Sequence, residues 1–182
     1  MPPFPVPPSG VWCPAVTLYQ PGTDALDLDA QASYFRHLGT RTGLAGLLVL
    51  GTNAEPFLLT REERRRLLAL ARETLGPEFP IMAGVGGHST AQVREFVEDA
   101  VEVAGSRWVL VLPPGYFGKV GGLEGVVEGF YGEVARFCEG LGVGVVVYNF
   151  PGVCGGVDLD RCVSSSLSSF WGLGCCRGVS VC

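Results

Sequence analysis

The side chains able to do chemistry stand where apolar runs stop. Tyr148 and Asn149 end the run Val143–Val147 and lead into the turn Phe150-Pro151-Gly152. Thr52, Asn53 and Glu55 follow the run Leu44–Leu50, and Gly84-Val85-Gly86-Gly87-His88 follows Pro80–Ala83. Tyr116 and Lys119 lie in the loop after Trp108–Leu112. Runs that are apolar on both faces read as strands of a buried parallel sheet. In a barrel of such strands the reactive groups gather at the C-terminal ends. Tyr148 holds such an end, which makes its hydroxyl the leading candidate.

Several other chemistries are disfavoured by the residues themselves. Gly-x-Gly-Gly before a helix can bind phosphate. Here the full Gly-x-Gly-x-x-Gly is absent and no acidic residue ends the next strand, so an open α/β nucleotide-binding module is a minor alternative. There are only two histidines, with His37 on a predicted helix, and no metal is expected. Lys119 is the single lysine beside 12 arginines. A lysine that forms an imine needs a desolvated position that lowers its pKa, and a solvated loop does not supply one. Five of the seven cysteines fall after residue 153, at spacings that fit no zinc pattern, and an odd total favours free thiols. A net charge of −5 with no basic, aromatic-interleaved patch argues against a nucleic-acid partner. No segment approaches the ~18 apolar residues of a membrane span. Met1–Gly10 is proline-rich and uncharged, without the apolar core of a signal peptide or the arginines of a mitochondrial presequence, so the cytoplasm is the default expectation.

The elements that must position these groups follow a regular rhythm. Strands are predicted over Val11–Thr17, Leu44–Leu50, Pro80–Ala83, Trp108–Leu112 and Val143–Tyr148. Between them lie helical patterns. Asp27 is a predicted N-cap for a helix to about Arg41 that buries Leu28, Ala32, Phe35 and Leu38. Thr60 with Glu63, and Ser89 with Gln92, are capping-box signatures for the next two helices. A fourth helix runs from about Leu123 to Gly140. Strands alternating with helices mean βα units and a parallel sheet, either a (β/α)₈ barrel or an open doubly wound sheet. After Pro151 the rhythm fails. Asp158 could cap one more helix with Leu159, Cys162 and Val163 inward, but the serine-rich run from Ser164 onward reads as neither strand nor well-made helix.

Taken together, the strand-end motifs resemble the dihydrodipicolinate synthase / N-acetylneuraminate lyase family, in particular its fungal aldolase-like members. Gly51-Thr52-Asn53-Ala54-Glu55 is similar to the family's Gly-Thr-Thr-Gly-Glu, and Ala83-Gly84-Val85-Gly86 with Ser89-Thr90 to its Ala-Gly-Thr-Gly…Thr. Pro113–Phe117 is similar to its Thr-Pro-Tyr-Tyr, and Tyr148-Asn149-Phe150-Pro151 to its Tyr-Asn-(Val/Ile)-Pro. The resemblance implies a (β/α)₈ TIM barrel and a class I aldolase or lyase acting on pyruvate or another 2-oxo acid through a Schiff base. It implies no cofactor, and it implies a homo-oligomer, dimer or tetramer. By the same resemblance Tyr148 donates and accepts protons beside the substrate, and Thr52 passes protons to it. Thr52 and Asn53 hold the substrate carboxylate, and Tyr116 completes a relay across a subunit contact.

The departures shape the remaining expectations. Asn53 stands where the family has a second threonine, and Ala54 where it has a glycine, which narrows the turn geometry. The family's Schiff-base lysine ends the sixth strand, and Ser164–Cys182 contains no lysine. A complete barrel takes about 250 residues, and this chain has 182. The expected organisation is a proline-rich tail (1–10), a partial barrel of about the first five βα units (11–163) and an aberrant Ser/Cys-rich tail (164–182). Loss of periodicity, of lysine and of ordinary composition near residue 163 points to truncation or a frame shift there. The expected function is a Schiff-base aldolase or lyase fold that is inactive in this chain. The alternative is a non-catalytic fragment that binds a 2-oxo acid or a homologous subunit. Open edges are expected on the first and fifth strands.

Overall fold

The computed structural model describes residues 5–41, 43–114, 123–150, 152 and 179–181, with 123–128 and 179–181 described by their backbone alone. The elements are β1 (Gly10–Pro14), α1 (Leu28–Gly39), β2 (Leu44–Val49), α2 (Arg61–Leu75), β3 (Ile81–Gly84), α3 (Thr90–Ala104), β4 (Trp108–Val111), α4 (Leu123–Leu141), β5 (Gly144–Val147) and β6 (Val179–Val181). The pairings between these strands are all parallel, in the order β5-β4-β3-β2-β1-β6. From β1 to β5 each strand pairs with the next in sequence. Within β1 to β5 the order does not reverse, as it would at the switch point of a doubly wound sheet; β6 alone returns to the far side of β1.

Curvature supports the same choice. Trp12 on β1 and Trp108 on β4 meet edge to face, centroids 5.9 Å apart at 73°. Those strands are three places apart in the sheet, which at ~4.8 Å per place is about 14 Å in a flat sheet. Side chains standing up from a flat sheet would leave the indoles apart, so their contact fits a sheet curling toward that face. The five consecutive strands therefore form an incomplete barrel wall, not a flat layer.

Alternation along the strands builds two cores. Leu47, Val49, Ile81, Ala83, Val109 and Val111 face α1 to α4, whose inner positions include Phe35, Leu67, Ala71, Val93, Val97 and Val134. The inner face carries Trp12, Leu48, Met82, Leu110 and Val146. Register follows this pattern, with Leu48 opposite Met82 and Met82 opposite Trp108. The segment before β1 crosses the same face: Trp12 Nε1 donates to Pro8 O at 3.1 Å, and Pro5 O packs against Gly144.

Helix starts follow the sequence signals. Asp27 accepts from Ala30 N at 2.9 Å. Thr60 and Glu63 make the full reciprocal box. Ser89 accepts from Gln92 N, but the Gln92 carbonyl reaches His88 N at 2.9 Å, so only half of that expected box forms. β1, β2, β4 and β5 end earlier than the apolar runs suggest, whereas β3 ends one residue later, at Gly84. β2 stops at Val49 because Leu50 takes a left-handed φ of 63° and leaves the ladder.

One strand lies where none was expected. β6 pairs with β1, Gly10 opposite Val179 and Trp12 opposite Val181. The serine-rich composition upstream hid it, but Val-Ser-Val is a short β-favouring run, and the N–H and C=O groups along β1 offer it a template. The edge expected to stay open on β1 is thereby paired, and among the described residues β5 bounds the sheet on the other side. The predicted helix after Asp158 and the boundary at 163 lie outside the described residues.

Candidate functional site

Tyr148 leaves β5 with its N–H bonded to Val111 O at 3.0 Å, so the end of β4 fixes its backbone. The side chain is half-buried, and its ring meets Phe150 edge to face at 6.2 Å. Across 96 residues of sequence, Thr52 Oγ1 donates to the Tyr148 hydroxyl at 3.0 Å. A hydroxyl can both give and accept a hydrogen bond, so two that touch can pass a proton either way. The two residues singled out at separate strand ends are thus one hydrogen-bonded pair.

Thr52 sits on a tight turn built by its neighbours. After left-handed Leu50, Gly51–Ala54 form a 3₁₀ turn, with Ala54 N on Gly51 O at 2.9 Å, and Glu55 N on Thr52 O at 3.1 Å closes it. The left-handed residue is Glu55, φ 51°, not Ala54. The alanine in place of glycine therefore does not strain this turn. Two neighbouring strand exits clamp it. Thr17 Oγ1, beyond β1, donates to Ala54 O at 2.8 Å. At the end of β3, Gly84 lies so close that a Cβ there would stand 2.0 Å from Leu50 O and 2.9 Å from Gly51 N. Asn53 is exposed. Tyr116 and Lys119 lie outside the described residues.

The glycine loop after β3 has commitments of its own. Val85 N bonds Leu110 O at 3.0 Å and His88 N bonds the Gln92 side chain. Both amides are occupied, which weakens a phosphate-binding reading. The His88 ring stacks on Phe57 at 5.6 Å. Among the described residues, no three His, Cys, Asp or Glu side chains converge as metal ligands.

Three positioning groups escaped the sequence reading. Gln31, buried on α1, accepts from Leu18 N at 2.8 Å and donates to Val16 O at 3.1 Å, fixing the β1 exit that carries Thr17. In the sequence Thr17 marks only the end of a predicted strand. Arg64 on α2 is 4 % exposed and donates to Pro56 O at 3.1 Å and Gly84 O at 2.9 Å, its guanidinium 3.9 Å from the Phe96 ring centre. Burial pulls its pKa down to about 10, which leaves it charged at neutral pH. A signal was available: Arg64 precedes Leu67 and Leu68 by three and four residues, so helical spacing puts it on their buried face.

Comparison with known proteins supplies the relationship. Residues 8–170 match the model of the dihydrodipicolinate synthetase family. The chain belongs to this family. Within it, the chain is 57% identical over 155 residues to a Coccidioides immitis protein named "Putative 4-hydroxy-2-oxoglutarate aldolase, mitochondrial", covering 85% of this chain and 48% of that protein. It is 31% identical to an L-threo-3-deoxy-hexylosonate aldolase of Aspergillus niger, covering 83% and 45%. Among solved structures, a family protein of C. immitis superposes with a TM-score of 0.74 at 48% identity, covering 92% of this chain and 51% of that one. YagE, a family member of E. coli K12 solved with pyruvate, gives 0.74 at 26%, covering 89% and 51%. The chain spans about half the length of the curated relatives it matches. An incomplete barrel wall is consistent with that span. No helix among the described residues is long and apolar enough to cross a membrane.

Proposed function

We propose that this chain carries the proton-relay and carboxylate-holding part of a Schiff-base aldolase or lyase site for pyruvate or another 2-oxo acid, and that taken alone it forms no imine. The observation that carries the reading is the 3.0 Å bond between Thr52 and Tyr148. A tyrosine hydroxyl coupled to a threonine hydroxyl suits general acid–base transfer during imine formation and C–C cleavage. Thr52 and Asn53 open a 3₁₀ turn beside that pair, where a carboxylate would meet side-chain donors. Tyr116 belongs to the same proposal as a further relay hydroxyl. Aldolase names among the relatives, and pyruvate in the YagE structure, favour the substrate class. Lys119 is the sole lysine of this sequence, whereas the family resemblance puts the imine-forming lysine at the end of a sixth barrel strand.

Incubation with pyruvate and borohydride, followed by intact mass measurement, tests this. No adduct is expected, while pyruvate is expected to perturb the Tyr148 NMR signal. A trapped imine on Lys119, or retro-aldol turnover by the purified chain, would overturn the proposed lack of imine chemistry. Pairing with a second copy or a homologous subunit belongs to the same reading, and light scattering of a mixture measures it. Cytoplasmic residence is the location carried over from the sequence; two relatives are named mitochondrial, so fractionation decides between the compartments.

A further inference from the structure

We propose that Arg64 is a positioning residue for the Thr52–Tyr148 hydroxyl pair, acting as a buried fork that holds the exits of β2 and β3 together. Its two acceptors come from different loops. Pro56 opens the second 3₁₀ turn (Pro56–Leu58), directly after the turn that carries Thr52, and Gly84 ends β3. Gly84 in turn lies against the main chain of Leu50 and Gly51, the residues that launch the Thr52 turn. Arg64 thus fixes both flanks of a five-residue stretch, Gly51–Glu55, that places one hydroxyl within hydrogen-bonding distance of another.

The physical chemistry is specific to a guanidinium. Arg64 hydrogen-bonds two main-chain carbonyls and no carboxylate, and it stacks on Phe96. A buried cation held by two carbonyls, with Asp99 acting on it only through charge, is costly, and α2 already has Leu67, Leu68 and Ala71 to pack it. An apolar residue of similar length would serve packing alone. A planar fork with separate donors at fixed spacing ties two carbonyls and keeps the distance between them. Lysine, a single ammonium on a flexible stem, cannot do both while stacking on a ring.

This inference uses the geometry of the hydroxyl pair, and it extends to ligand binding only on the reading of that pair given above. The test is built on Arg64→Met, with tyrosine carrying a ¹³C label at the ring carbon bearing the hydroxyl. Tyr148→Phe assigns the Tyr148 signal, and Thr52→Val defines its position without the Thr52 bond. Arg64→Met is expected to move the signal at least halfway to the Thr52→Val position. Arg72→Met, which removes carbonyl contacts to Gly76, Pro77, Phe79 and Ala104 at the other end of α2, is expected to leave it unmoved. A folded Arg64→Met protein with the parent signal would overturn the proposal. Should that variant not fold, Arg64→Lys decides: the same shift supports the fork, and an unmoved signal refutes it. Pyruvate titration of the same samples separates the two readings. Binding weakened at least tenfold in Arg64→Met links the fork to the ligand. If the parent itself binds no pyruvate, the substrate reading fails while the Tyr148 signal still decides the role of Arg64.

Discussion

Replacing Gly84 by alanine is the severest small perturbation this site offers. The φ of Gly84 is ordinary for any residue, so the obstacle is space alone. An added Cβ would stand 2.0 Å from Leu50 O, 2.5 Å from Leu50 C and 2.9 Å from Gly51 N. A carbon–oxygen contact settles at about 3.3 Å or more, so the two strand exits must part by roughly 1.3 Å. No side chain can rotate away, because all three atoms are main chain. Overpacking of this kind costs about 1–3 kcal/mol. The movement also pulls Gly84 O from Arg64, a charged hydrogen bond of 2.9 Å worth about 1.5–3 kcal/mol. Together about 4 kcal/mol is expected, a large share of the ~5–15 kcal/mol that holds a typical domain. Urea unfolding followed by circular dichroism reads it. With a slope of about 2 kcal/mol/M, the midpoint falls by roughly 2 M. Gly129→Ala is the matched control: it lies in α4 with nothing within 4 Å of the added carbon, and relief of glycine's helix penalty should raise stability by roughly 0.5–1 kcal/mol. A Gly84→Ala midpoint within about 0.3 M of the parent would show that the exits of β2 and β3 are not packed as described.

Three further outcomes are expected. A double-mutant cycle of Thr52→Val and Tyr148→Phe should give a coupling near 1 kcal/mol in denaturation, and a coupling near zero would dissolve the pair. Asp99, 3 % exposed, would have its pKa raised by burial, but hydrogen bonds from Arg61 and Arg65 outweigh this and hold it below the usual carboxylate range. Its contribution is therefore present above the unfolded value of about 3.9 and lost as pH falls below it. Asp99→Asn should lower stability by about 1.5–3 kcal/mol at pH 7 and flatten the acid limb of the midpoint-versus-pH curve; an unchanged limb contradicts the assignment. Removing residues 179–182 strips the strand from β1 and should raise concentration-dependent light scattering, whereas a chain as monodisperse as the parent would show that β6 does not guard that edge.

What the sequence made legible was local or periodic. Leu44–Leu50 and Val143–Val147 announce themselves as buried strands, and the polar residues ending them mark Thr52 and Tyr148. Thr60 with Glu63 satisfies two orphan N–H groups using only neighbours, so the box could be read before any fold was known. What stayed hidden depends on partners far apart in the chain. Helical spacing could place Arg64 on the buried face, but not its role, because its acceptors are backbone carbonyls, which every residue possesses and no pattern distinguishes. Gln31 escaped for the same reason. The left-handed turn at Leu50 was masked because leucine has no preference for it; the Gly84 backbone that packs against it is distant in sequence. Val179–Val181 is too short to signal a strand and needs the edge of β1 to become one.

The meeting of Trp12 and Trp108 has an optical consequence. Two indoles at 5.9 Å and 73° have transition dipoles close enough to couple, and they sit on strands three places apart whose side chains meet on the inner face of the curled wall. The far-ultraviolet dichroism of the folded chain should therefore carry a couplet that Trp108→Phe removes. Flattening of the sheet would erase that couplet before any helix unwinds. The protein thus contains its own gauge of barrel curvature, readable without label, ligand or activity.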